Sequence, residues 1–298
     1  MSDYILETHD LSKNFGPVTA VNRINLQVKR GELFGFLGPN GAGKTTTIGI
    51  ALGLVAASAG RVEIFGETVT PHQTRPLRRV GSLVGAPSLL PYMSGADNLR
   101  LLARLSDGVD NGRIAEVIER VGMTDSAQRK VQGYSSGMKQ RIGLAAALLH
   151  HPDLIILDEP TNGLDPKGMR EVRQLLRDLA ADGVTIFLSS HLLNEVEQIC
   201  DRVAVLNRGE IVAQGAVQDL LGEQQTIVKI RVQSSAQAAE VLQTLAEVSG
   251  VKTNGRYLEV TGVGGEAIVR HLAQREIYPS EVVAQRIDLE SLFLEMTE

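Results

Sequence analysis

GPNGAGKT, residues 38–45, is the stretch that decides how this chain folds. It fits G-x-x-x-x-G-K-[ST]. The short apolar run Leu33–Leu37 precedes it and Thr46–Leu54 is helix-compatible, so the loop joins a buried strand to a helix N-terminus. Gly41 and Gly43 let the backbone turn its N–H groups toward anionic oxygens. Lys44 supplies a point charge for the β- and γ-phosphates of a nucleotide, and the Thr45 hydroxyl suits Mg²⁺. The helix that starts here adds the positive end of its dipole. The expected phosphate cradle is therefore Gly38, Pro39, Asn40, Gly41, Ala42, Gly43, Lys44, Thr45 and Thr46. A glycine-rich turn without a ligand is the bland alternative.

A second stretch answers the first. LIILDEP, residues 154–160, is an apolar strand ending in two acids. Such a run, buried on both faces, places Asp158 at the carboxyl edge of a sheet, where open α/β folds bind ligands. Asp158 suits the Mg²⁺ shell through water, and Glu159 suits polarisation of an attacking water. An Asp-Glu pair after a strand is otherwise a common helix cap; beside a phosphate loop the catalytic reading prevails.

Strand signals crowd the early chain: Ile24, Leu26 and Val28 alternate with polar residues, and Arg61–Phe65 closes on Gly66. The middle turns helical, with Ser94 as a cap before Leu99, Leu102 and Leu105, and with helical spacing over Arg113–Val121. Apolar runs then recur at Leu154–Leu157, Val184–Leu188 and Val203–Leu206, and the amphipathic helix Met169–Ala181 stops at Asp182-Gly183. Alternation of this kind predicts a parallel α/β sheet. A boundary is expected at 222/223. Beyond it the reading is strand Thr226–Val232, helix Ala236–Val248, a turn at Asn254-Gly255, strand Arg256–Val260 and helices over Glu266–Glu276 and Asp288–Met296, a small α+β domain.

The bulk numbers bound the rest. The chain has 298 residues, 43% hydrophobic and 22% charged, enough for one large domain plus a small one. A net charge of −5 leaves no basic footprint for nucleic acid. The one cysteine, Cys200, allows no intrachain disulfide and reads as a buried small hydrophobe in a reducing compartment. The polar start MSDYILETHD is unlike a signal peptide, and no apolar run reaches the roughly 18 residues of a membrane span. Any service to a membrane must pass through a partner.

Between these elements stands Tyr134-Ser135-Ser136-Gly137-Met138, followed by Lys139-Gln140-Arg141. The segment resembles the signature of ABC ATPases, usually LSGGQ and a basic pair; Ser135 and Gly137 match and three positions depart. Asn162-Gly163-Leu164-Asp165 resembles the family's D-loop, His191 its H-loop, and Phe15 its adenine-stacking aromatic. The resemblance covers about residues 4–220. It implies a P-loop NTPase of the ABC ATPase kind, with an antiparallel β subdomain and a helical subdomain, binding ATP and Mg²⁺. It also implies that Ser135, Ser136 and Gly137 face the ATP of an opposite, head-to-tail subunit, that Asp165 ties the two sites together, and that His191 reports the γ-phosphate. One phosphate loop and one signature per chain then require a dimer, with a second copy of this chain (a homodimer) as the expected partner and a heterodimer as the alternative.

Within the family the chain is similar to single-cassette subunits of ABC-2-type exporters, whose substrates include peptide antibiotics. That likeness rests partly on Asp288-Leu289-Glu290-Ser291-Leu292-Phe293 near the end of the chain. It implies a separate ABC-2-type permease and a place on the cytoplasmic face of the membrane. One position departs: where the family carries a glutamine, or in peptide-antibiotic exporters a glutamate, alignment on Val80-Gly81-Ser82-Leu83 gives Gly85. A soluble ABC ATPase and a non-hydrolysing ATP switch are the rival classes.

Overall fold

The computed structural model describes residues 3–105, 109–221 and 227–285. Two compact units divide the chain, Met1–Val217 and Gln218–Glu298. The expected boundary at 222/223 and the expected helix Asp288–Met296 lie outside the described residues.

The first unit runs β1 (Tyr4–Phe15), β2 (Val18–Lys29), β3 (Leu33–Leu37), α1 (Lys44–Ala51), β4 (Ala59–Ile64), β5 (Glu67–Val69), β6 (Val80–Leu83), α2 (Gly95–Ala103), α3 (Asn111–Arg120), α4 (Ser136–Leu148), β7 (Leu154–Asp158), α5 (Pro166–Ala181), β8 (Thr185–Ser190), α6 (Leu193–Glu197), β9 (Arg202–Asn207) and β10 (Glu210–Ala216); α7 (Val217–Leu221) begins at its last residue and continues into the second unit. A six-stranded sheet has the order β10-β9-β3-β8-β7-β6, and a four-stranded antiparallel sheet the order β2-β1-β4-β5. In the larger sheet β3, β6, β7, β8 and β9 pair in parallel and β10 runs antiparallel to β9. The expected α/β P-loop fold, with its antiparallel β and helical parts, is borne out.

Composition explains the layering. Every residue of β3, β7 and β8 is buried, as strands covered on both faces require. Phe34 stacks on Phe187 at 5.8 Å and Phe36 meets the same ring at 5.4 Å. Each of these rings is at most 2% exposed, so burial alone contributes roughly 1.5–3 kcal/mol apiece. Gly35, on β3, admits a close neighbour: a Cβ there would lie 2.4 Å from Val196 Cγ1. Helix α5 buries Val172, Leu175, Leu176 and Leu179 on one face and starts at Pro166, three residues before the expected Met169, because the Asp165 side chain accepts from Gly168 N at 2.8 Å and caps it. Because β3, β6, β7 and β8 point the same way, the loops that follow them open at one edge of the sheet.

The second unit follows β11 (Ile227–Arg231), α8 (Ser235–Gln243), β12 (Gly250–Asn254), β13 (Tyr257–Thr261), α9 (Gly265–Ala273) and β14 (Glu281–Gln285), with antiparallel order β12-β13-β11-β14. This is a split β-α-β arrangement. Val228, Ile230, Leu258 and Val260 of the sheet share a core with Ala238, Leu242, Ile268 and Leu272 of the helices. Helix α8 ends well before the expected Val248. The Thr244 hydroxyl donates to Val241 O at 2.7 Å, and Leu245 and Val248 then bond three residues back rather than four, so the chain tightens and leaves the helix. Strands β12 and β14 are additions that sequence patterning does not supply.

Candidate functional site

Residues 38–43 leave β3 and wrap into α1. Three glycines take positive φ, 153° at Gly38, 83° at Gly41 and 109° at Gly43. At two of them space also forbids a side chain: a Cβ would lie 2.2 Å from Leu206 O at Gly38 and 2.4 Å from Ala20 O at Gly43. The loop thus presses against the neighbouring backbone while its outer side stays open. Lys44, only 6% exposed, donates from Nζ to Gly38 O at 2.7 Å and to Pro39 O at 3.3 Å.

Strand β7 delivers the acids from the neighbouring side. Asp158 is buried and accepts two hydroxyls, Thr45 Oγ1 at 3.0 Å on Oδ2 and Ser189 Oγ at 2.6 Å on Oδ1. Glu159 has φ 52°, a left-handed conformation unusual for a residue with a side chain. Its N–H donates to Ser189 Oγ at 3.0 Å. Its two carboxylate oxygens face different partners, Oε1 lying 3.3 Å from Lys44 Nζ and Oε2 2.7 Å from His191 Nδ1. Strain of about 1–3 kcal/mol at such a residue persists only where surrounding structure fixes it, here the Ser189 hydroxyl and the Lys44 and His191 contacts.

Pro39, Gly41, Gly43, Lys44, Thr45, Glu159 and His191 line one cavity of about 360 Å³, together with Ala20, Asn40, Thr46 and Asn162; Asp158 adjoins it through its hydrogen bond with Thr45. Its donor set is hard: a hydroxyl and a carboxylate set side by side, with no soft ligand. That suits Mg²⁺, which takes few protein ligands and fills its shell with phosphate oxygens and water. No group of three or more His, Cys, Asp or Glu side chains able to hold a metal unaided occurs among the described residues. The glycine cradle, the lysine and the helix N-terminus fit a polyphosphate, so the residues present suit a Mg²⁺–nucleotide.

Sequence reading places Gly38 to Thr46, Asp158, Glu159 and His191 in one neighbourhood, and the structure puts them there. It does not bring in Phe15, Ser135, Ser136, Gly137 or Asp165, none of which lines the cavity. Phe15 stands 52% exposed with Lys13 Nζ 4.9 Å from its ring centroid. Ser135 caps α4 by accepting from Met138 N at 3.3 Å, which leaves the first N–H groups of that helix, those of Ser136 and Gly137, without intrahelical partners. Tyr134, where the family has leucine, is an anchor: it is 6% exposed and its hydroxyl donates to Ser126 O at 2.7 Å. Gly95 leaves room for it, since a Cβ there would meet the Tyr134 hydroxyl at 2.5 Å. Gly85 has φ 66°, and a Cβ added there would have nothing within 4 Å.

Ser189 is the functional residue that sequence reasoning misses, since it joins Asp158 to the backbone of Glu159. Its only signal is a pair of serines ending an otherwise apolar strand, at 0% and 3% exposure.

The ABC transporter family matches residues 21–162. An uncharacterized ABC transporter ATP-binding protein of Bacillus subtilis (strain 168) is 41% identical over 98% of this chain and 96% of its own length. The bacitracin transport ATP-binding protein of Bacillus licheniformis is 45% identical over 70% of this chain and 68% of its own. Among solved structures, an ATP-binding cassette in a dimeric post-hydrolysis state with ADP and Pi superposes with a TM-score of 0.64 at 26% identity, covering 72% of this chain and 99% of that one.

Proposed function

Since this chain belongs to the ABC transporter family as an ATP-binding, ATP-hydrolysing subunit, we propose that it works as a head-to-tail homodimer that drives export through a separate ABC-2-type permease. One observation carries the dimer. The nucleotide-facing residues fall into two sets within a single chain, one lining the cavity and the other, Ser135 to Gly137, outside it. A second copy supplies the missing set, offering the free N–H groups of Ser136 and Gly137 at a helix N-terminus to the γ-phosphate. Two ATP molecules are then held between the copies, with Asp165 near the junction and Phe15 under each adenine.

Within each site the roles follow from position. The backbone N–H groups of Asn40, Gly41, Gly43, Lys44, Thr45 and Thr46, which line the cavity, hold the phosphates, and Lys44 turns its ammonium from the loop carbonyls to the β- and γ-oxygens. Glu159 accepts a hydrogen bond from the attacking water and orients it. His191, 2.7 Å from Glu159, keeps that carboxylate in place and touches the γ-phosphate. Thr45 and Asp158 would hold Mg²⁺, which supplies charge neutralisation at the phosphates. Binding closes the dimer and hydrolysis reopens it, and the permease follows. No helix among the described residues is long and apolar enough to cross a membrane. In this reading the permease is a different polypeptide, and the chain sits on the cytoplasmic face against it. The bacitracin relative makes peptide antibiotics the favoured substrate class.

The test is isolation of the tagged chain from detergent-solubilised membranes of its own cells. The expected result is a stoichiometric multi-span membrane protein whose presence raises ATPase activity. A chain that stays in the soluble fraction with full activity and no such partner would overturn the transport reading.

A further inference from the structure

Two helix N-termini of the first unit lie side by side. Ser135 caps α4 and Asp165 caps α5. A Cβ added at Gly137 would lie 3.8 Å from Leu164 Cδ2, ordinary contact distance, so the Leu164 side chain sits beside Gly137. Further back, a cavity of about 240 Å³ lies between α5, Arg141 of α4 and the end of α3, with Val121, Gly122, Glu171 and Leu175 on its walls. Apolar packing leaves a gap here, and charge spans it.

Arg141 is the centre of that span. Its Nη1 donates to Val121 O at 3.2 Å, at the end of α3, and its Nη2 pairs with Glu171 Oε2 on α5. Gly122 makes room for it, since a Cβ there would stand 2.9 Å from Arg141 Nη1. Arg120, the last residue of α3, pairs in the same way with Asp182, the residue that follows α5. A lone surface ion pair is worth little. Arg141 differs from one: its side chain is 21% exposed and it joins three helices.

Arg141 stands six residues after Ser135, and Glu171 six after Asp165. At a rise of 1.5 Å per residue both lie about 9 Å behind their helix N-termini. A contact at the front and an ion pair behind it hold two helices in one orientation, where either alone would be a pivot. We propose that Arg141 is a positioning residue that fixes the N-terminus of α4 against that of α5, so that Ser135 to Gly137 and Asp165 meet a second copy as one preset surface. The proposal rests on the two-copy reading above. Arg141 does not line the nucleotide cavity of its own chain, so its effect falls on association rather than on nucleotide capture. A surface ordered beforehand loses less freedom on binding.

ATP-dependent dimerisation of the full chain tests this in the Glu159→Gln background, with melting temperature followed in parallel. Arg141→Ala should raise the protein concentration for half-dimerisation about 10-fold, the order of one charged hydrogen bond lost, with the ATP affinity of the monomer unchanged. Glu171→Ala should raise it less, up to about 5-fold. The double variant should be no worse than Arg141→Ala, because both changes remove one linkage. Arg141→Lys keeps the charge toward Glu171 and should recover part of the loss. Arg79→Ala removes a different exposed ion pair of the same unit, with Asp153, and should leave dimerisation unchanged, which separates positioning from general stability. If Arg141→Ala folds poorly, Glu171→Ala and Arg141→Lys carry the test. An unchanged midpoint in well-folded Arg141→Ala, an equal shift in Arg79→Ala, a matching loss of monomer ATP affinity, or independent losses in the double variant overturns the proposal. Glu159→Gln alone separates the failures: if it stays monomeric with ATP, the two-copy reading falls and the proposal with it; if it dimerises and Arg141→Ala makes no difference, only the positioning role falls.

Discussion

Replacing Gly85 by glutamine sets coordination chemistry against backbone geometry, and the structure gives both sides a size. Gly85 follows β6 with φ 66°, where any residue with a Cβ loses about 1–2 kcal/mol. Nothing lies within 4 Å of the added carbon, so no steric cost joins the torsional one. For a chain of this class, 1 kcal/mol corresponds to about 2–4 °C in melting temperature, giving an expected fall of roughly 2–8 °C. Gly85→Ala carries the same strain and no carbonyl, and it should melt together with Gly85→Gln. The two should part in a Mg²⁺ titration of ATPase activity. A side-chain carbonyl replacing one metal-bound water, at about 1 kcal/mol, would lower the half-maximal Mg²⁺ concentration around five-fold in the glutamine variant alone. If both variants share one Mg²⁺ dependence, or the glutamine variant needs more, the missing side chain does not limit this site.

Three further outcomes follow from other parts of the molecule. Phe15→Ala should raise KM for ATP about 5- to 150-fold with kcat little changed, since stacking on a base is worth about 1–3 kcal/mol; ATP titration of the variant decides it. Cys200 is 7% exposed, and burial together with the Asp201 and Glu32 carboxylates pushes its thiol well above the usual range, so the thiolate is scarce; a thiol reagent should leave the native protein unlabelled and label it once denatured. A chain ending at Gly222 should stay folded, bind nucleotide and hydrolyse it at high protein concentration, and a folded truncation without turnover would assign the second unit to the chemistry.

What is legible in the sequence is what local chemistry dictates. The phosphate loop can be read because glycines, a lysine and a threonine at fixed spacing have one common physical use. Strands β3, β7 and β8 are legible because strands covered on both faces are continuous apolar runs. Patterning overextends helix α8 because Leu245 and Val248 keep helical spacing and do pack on the core, while the Thr244 hydroxyl ends the helix. Patterning also misses β12 and β14, because an edge strand such as β14, with Val282 and Val283 38% and 45% exposed, lacks the alternation that marks a half-buried one. In the site, the role of Ser189 and the left-handed backbone of Glu159 arise only when β7 and β8 lie side by side in register, Asp158 opposite Ser189. No spacing along the chain encodes that neighbour.

The central claim is that Glu159, aimed by its strained turn and held between Lys44 and His191, activates the water that breaks the γ-phosphate bond in a two-copy site. Glu159→Gln preserves shape and removes the charge. Purified variant and wild type, each incubated with ATP and Mg²⁺ and run on size exclusion with released phosphate quantified, give the direct answer. The account requires a variant with a persistent ATP-bound dimer and turnover reduced by at least about 100-fold, within the range for losing a positioned base. Wild-type phosphate release from the glutamine variant, or an inactive variant that binds ATP tightly as a monomer, would contradict it.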